Sequence, residues 1–127
     1  MHNRTTLLIA FAFGFLAVAI GAFGAHGLKP HMNEYQQSIF ETASRYQFYH
    51  SIALLALAWL PSVNFVKYIT WLFVGGIILF SGSLYLLALK DMLVLQHWTF
   101  LGPITPLGGL LFLAGWVMGF VYVVREK

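Results

Sequence analysis

Apolar residues fall into four runs, separated by short clusters of charge, Pro, Asn and Gln. The runs cover residues 5–25, 42–60, 68–89 and 106–124. A helix needs about 20 apolar residues to cross a hydrocarbon core of about 30 Å, and three of the runs meet that directly. The second is strictly apolar only from Tyr46 to Leu60, before Pro61. Its helix is expected to begin earlier. Asn33 can cap it and Gln36 follows three residues on, the spacing of a capping box. A helix over 34–60 would be about 40 Å long, so its first turns would lie in the headgroup layer or protrude. The fourth run has a sharp expected start. Thr105 can cap it, and Pro106 would occupy the first helical position, where its missing N–H does no harm. Residues 101–104, Leu-Gly-Pro-Ile, are then expected to form a tight non-helical loop that dips towards the membrane.

Composition turns this pattern into a class. The chain has 127 residues, 60% apolar and 9% charged. Soluble domains average about 45–50% and about 25%. A chain this short, folded in water, could not hide so much apolar surface. The expected fold is all-α: a polytopic membrane protein forming one membrane domain over residues 1–127, a compact four-transmembrane-helix bundle. The first run continues to Ala25, longer than the apolar core of a cleaved signal peptide, and is expected to remain as a span. The net charge of +3 comes from seven scattered Lys and Arg with no basic run, which leaves no nucleic-acid footprint. Cysteine is absent, so disulfides, thiolate metal sites and cysteine nucleophiles are excluded.

Four spans put both termini on one side. That side carries Arg4, Lys67, Arg125 and Lys127. The other carries Lys29 and Lys90, with Arg45 at the membrane edge. The positive-inside rule then favours cytoplasmic termini. Trp59, Tyr68, Trp71 and Tyr122 are expected in the inner aromatic belt, and Tyr46, Tyr49 and Trp98 in the outer one.

Lipid supplies no hydrophobic drive between helices, so small residues must let backbones approach. Ala10, Gly14, Ala17, Gly21 and Gly24 draw one stripe on the first span. Gly75 and Gly82 lie one heptad apart on the third, and Gly115 and Gly119 form a GxxxG on the fourth. All are expected at helix contacts, either inside the bundle or in a homo-oligomer.

Candidate chemistry is sparse. No phosphate-binding loop, zinc-protease, serine-hydrolase or dinucleotide-binding motif is present. Of the histidines, His26, His31, His50 and His97 are expected on the outer side, none spaced to share a metal on one helix face. The densest polar cluster is Phe40 to His50, FETASRYQFYH. Glu41 and Arg45 can pair at i, i+4, Tyr49 continues their face, and Tyr46 and His50 lie on the next. Arg45 is expected to point into the bundle, towards Glu41, carbonyls of the first helix or the 101–105 loop. The candidate ligand-binding or structural cluster is therefore His26, Glu41, Arg45, Tyr46, Tyr49, His50 and Thr105. No catalytic residue, metal or cofactor is assigned.

Four stretches carry a family resemblance: GAFGAHGLK at 21–29, FETASRYQFYH at 40–50, LFSGSLYLLA at 79–88 and LGPITPLGGLL at 101–111. Together they resemble family 423 of domains of unknown function, small bacterial inner-membrane proteins. The resemblance implies a four-helix protein of the bacterial inner membrane and brings no activity. The reading that follows is a non-enzymatic structural or accessory protein, in contact with membrane lipids and compatible with a homo-oligomer or a larger membrane complex. The alternative is a binding protein for a lipid, quinone or other amphipathic ligand at the outer polar cluster. A membrane enzyme or small transporter using Arg45, Glu41 and His50 is a third.

Overall fold

Apolar side chains can be buried on all sides of a helix in lipid or protein, while its backbone hydrogen bonds are met internally. Each apolar run accordingly folds as a helix. In the computed structural model, which describes residues 3–126, α1 spans Arg4–Phe23, α2 Glu34–Leu57, α3 Asn64–Gly76, α4 Gly82–Ala88 and α5 Leu101–Arg125. A π-helical turn, Ile77–Ser81, joins α3 and α4 into one continuous helix. A second π-helical turn and a short 3-10 turn extend α1 to His31. Four helical rods result, with no strand among the described residues. Three of the rods, Arg4–His31, Asn64–Ala88 and Leu101–Arg125, are long and apolar enough to cross a membrane.

Local chemistry sets the α2 start. Asn33 accepts the Gln36 N–H at 2.8 Å and the Gln36 side chain accepts the Asn33 N–H at 3.0 Å, a reciprocal capping box. The start of the last helix differs from expectation. Residues 101–104 are helical, and α5 begins at Leu101. Pro103 falls in the first turn, where N–H groups have no intrahelical acceptor, so its missing donor is harmless. Only Pro106 lies inside the helix. It removes the single bond that would have reached the Gly102 carbonyl. Thr105 is not the cap. Its hydroxyl is shared with Ser83 at 2.6 Å, which ties α5 to α4.

The rods alternate in direction. The Asn3 N–H donates to the Ala58 carbonyl at 2.7 Å, joining the start of α1 to the end of α2. Ser81 donates to the Ala43 carbonyl at 2.7 Å, Phe40 meets Tyr85 and His50 meets Phe73, while Phe65 stacks on Tyr122, so α3–α4 runs against both α2 and α5. The α3–α4 rod packs against both α2 and α5, α2 reaches α5 through the Tyr46 and His50 side chains, and α1 leans almost entirely on α2. The core is built on Leu54, Val66, Ile69, Phe73, Ile77 and Phe112.

Glycine decides how closely the rods approach. A Cβ on Gly108 would collide with the backbone of Phe80, and one on Gly76 with the Phe112 ring. Gly24 lies against the Phe40 ring and Gly115 against Phe73. Gly14 and Gly21 face Ser51 and Ser44 on α2, and Gly75 faces Leu111. Gly82 and Gly119 make no close contact inside the bundle. A Cβ on either would meet no described heavy atom within 4 Å.

Candidate functional site

One polar face of α2 turns inward. Gln36, Gln47, His50 and Ser51 are buried, while Glu41, Arg45, Tyr49 and Ile52 face out. A polar group surrounded by hydrocarbon must find a protein partner, so the face that carries them is the one that packs. Gln47 sits between three rods. Its Nε2 donates to the Phe13 carbonyl of α1 at 2.9 Å, and its Oε1 accepts the Tyr85 hydroxyl of α4 at 2.8 Å. Ser51 donates to the Gln47 carbonyl at 2.7 Å.

His50 is the densest node. Trp116 Nε1 of α5 can only donate, and it lies 3.1 Å from His50 Nε2. Nε2 is therefore the acceptor, and Nδ1 carries the proton, donating to the Tyr46 carbonyl at 2.8 Å. The ring is neutral in this arrangement. It stacks on Phe112 with centroids 3.6 Å apart and meets Phe73 edge-on at 5.1 Å. His50 thus packs against the middle of α5, beside the Ser51–Gly14 contact at the middle of α1. The expectation of an outer-side His50 is corrected.

The remaining predicted residues do not converge. Arg45 and Glu41 approach to 3.9 Å, but their side chains are 58% and 72% exposed, so Arg45 does not enter the bundle. The inward face of that turn is taken by Ala43 and Gln47, and the i, i+4 pair is left on the outer stripe. Tyr46 packs against Phe80 and His50 yet stays exposed, as does Tyr49 beside it. His26 is exposed beyond α1, and Thr105 pairs with Ser83 on the far side of α4. Tyr122, expected in the inner belt, is buried and donates to Glu126 at 2.6 Å. Trp59, Tyr68 and Trp71 are exposed. Lys127, counted in the charge bias, lies outside the described residues. Among the described residues no three His, Asp or Glu side chains gather to hold a metal. Gln47, Ser51, Ser81, Tyr85 and Trp116 were missed as site residues. The available signal was four polar positions on α2 spaced at 36, 47, 50 and 51, which trace one helix face.

The bundle's polar interior can join helices and fix their register, and the comparisons agree in scale and setting. The profile described as "Protein of unknown function (DUF423)" matches residues 20–109. The chain belongs to this family. A UPF0382 membrane protein of Staphylococcus aureus is 46% identical over 106 residues, covering 81% of each chain. A UPF0382 membrane protein of Staphylococcus saprophyticus is 44% identical over 106 residues, covering 81% of this chain and 82% of the relative. The UPF0382 inner membrane protein YgdD of Escherichia coli K12 is 40% identical over 130 aligned positions, covering all of this chain and 95% of YgdD. No solved structure matches. Membership in DUF423 makes the chain a membrane protein, as the apolar rods require, and the names of these relatives assign no activity.

Proposed function

We propose that this DUF423 member is a four-pass, non-enzymatic protein of the bacterial inner membrane, with both termini cytoplasmic, working as a structural or accessory component. The observation that carries the reading is the closed interior. Among the described residues every fully buried side-chain nitrogen and oxygen has a partner. A reaction centre needs bonding capacity left over for substrate, and His50, Gln47 and Ser81 are all spent on joining helices. Four passes are supported by the antiparallel contact of α2 with both α1 and α3–α4. Polarity lowers the hydropathy of α2 because its polar face is the buried one.

The ligand-binding alternative at the outer cluster is less well supported. The cavity beside Gly21, Lys29, Phe40, Glu41 and Ser44 holds about 110 Å³. Small-molecule sites start at about 300 Å³. The exposed stripe of Glu41, Arg45 and Tyr49 is better suited to contact with another membrane protein. A photo-crosslinking residue in place of Tyr49, in intact membranes, should give one discrete protein adduct that Arg45→Glu removes. Adducts to lipid alone, or a quinone retained stoichiometrically at this cluster, would overturn the accessory reading.

A further inference from the structure

The opposite end of the bundle, where the described chain begins and ends, holds a larger space. The first turn of α1 and the first turns of α3 flank an open depression of about 330 Å³, lined by Thr5, Thr6, Ser62, Lys67, Thr70 and Trp71 among others. Among the described residues Lys67 is the only charged side chain in the lining, and it makes no ion pair. Thr6 is 3% exposed, its N–H is bonded to Asn3 Oδ1, and it lines the space. Threonine and serine side chains beside an ammonium that pairs with no described acid are a donor set for an anion.

A second space adjoins it across Trp71. Between α3 and α5 lies a groove of about 360 Å³, lined by Tyr68, Trp71, Leu72, Leu111 and Met118. It is almost wholly apolar, and it runs from the first turns of α3 towards Leu111, which faces Gly75. Trp71 walls both spaces. One offers a cation and hydroxyls at the end of the bundle, and the other an apolar channel along its lipid-facing side.

We propose that the two spaces form one site for an anionic phospholipid. The phosphate sits against Lys67 Nζ with the Thr5, Thr6 and Ser62 hydroxyls as donors, and an acyl chain passes Trp71 into the α3–α5 groove. Among the described residues no acidic side chain lines the polar space to pair with the ammonium of a zwitterionic headgroup. The groove supplies what a free phosphate would leave unused. This site requires only that α3 and α5 face lipid, and it makes no use of the accessory role proposed for the other end.

The test is native mass spectrometry of the full-length protein in detergent, titrated with phosphatidylglycerol, with phosphatidylcholine of the same chains, and with inorganic phosphate. One phosphatidylglycerol should be retained about tenfold more tightly than phosphatidylcholine, the scale of one charge-assisted contact. Lys67→Gln should erase that preference, Thr6→Val should weaken it, and Lys90→Gln, at the other end, should leave it intact. A phosphatidylglycerol carrying a diazirine on its acyl chain should label the peptides around residues 68–72 and 111–118, a readout that needs no variant to fold. Equal retention of the two lipids, equal effects of Lys67→Gln and Lys90→Gln, label spread evenly over the outer faces of α1 and α5, or full competition by inorganic phosphate would each overturn the site.

Discussion

His50 is held by a donor on one ring nitrogen and an acceptor at the other, and the two partners lie on different helices. Replacing it with Phe keeps the stack on Phe112 but removes the acceptor for Trp116. Interhelical hydrogen bonds in membrane bundles are worth about 0.6 kcal/mol on average and about 1.7 at most. A double-mutant cycle of His50→Phe and Trp116→Phe, read by reversible unfolding in detergent, should therefore give a coupling of about 0.5–1.5 kcal/mol. Imidazole ¹⁵N shifts should report the proton on Nδ1. Coupling near zero with the opposite tautomer would mean that the two rings merely touch. Arg45 stands at the other extreme. Its exposed pair with Glu41 is worth little, and Arg45→Ala should change stability by no more than about 0.5 kcal/mol, no more than Lys90→Ala does. A drop of about 2 kcal/mol in the same unfolding assay would return Arg45 to the interior.

At the level of elements, the π-helical turn at Ile77–Ser81 is where α5 comes closest. Gly108 touches the Phe80 backbone, Thr105 reaches Ser83, and Ser81 reaches the Ala43 carbonyl of α2. Backbone cannot yield as a flexible side chain can, so an added methyl at 108 must push two rods apart. Gly108→Ala should cost about 1–3 kcal/mol, the range for overpacking. Gly119→Ala, facing open space on the same helix, should be neutral or slightly stabilising, because Ala is the better helix former. Thermal unfolding of the two variants side by side checks this. Equal melting temperatures would show that α5 is free to shift along the π-helical turn.

For the whole molecule, the alternating directions of the rods put Asn3, Ala58, Phe65 and Tyr122 at one end and Gln36 and Asp91 at the other. Gln36 Nε2 holds Asp91 Oδ2 at 2.6 Å, which ties the 89–100 connection to the start of α2. A bundle built this way, placed across a bilayer, exposes its two ends on opposite sides. Reporter domains fused after Asp91 and after Glu126 should give opposite responses, with the Glu126 fusion active in the cytoplasm. Matching responses would mean that α2 lies along the surface and that the bundle crosses fewer than four times.

The four helices were legible in the chain because what makes them is local and additive. Length and apolarity are measured against a bilayer of known thickness, and the Asn33–Gln36 box needs only its own turn. The stripe of Ala10, Gly14, Ala17, Gly21 and Gly24 was legible for the same reason, since helical period alone puts those residues on one face. What they pack against was not. Gly108 looks like Gly119 in sequence, and the difference is a neighbour about 28 residues upstream whose backbone happens to lie there, at Phe80. The depth of His50 and the outward turn of Arg45 depend on which face of α2 its three neighbours cover, and no local period contains that. Prolines 103 and 106 read as breakers, because a missing N–H is a local fact. Whether it matters depends on the turn of the helix it falls in, and that was set by where α5 could begin against α4. Helices thus followed from the chemistry of single turns, whereas the polar interior followed from contacts among residues far apart in the chain.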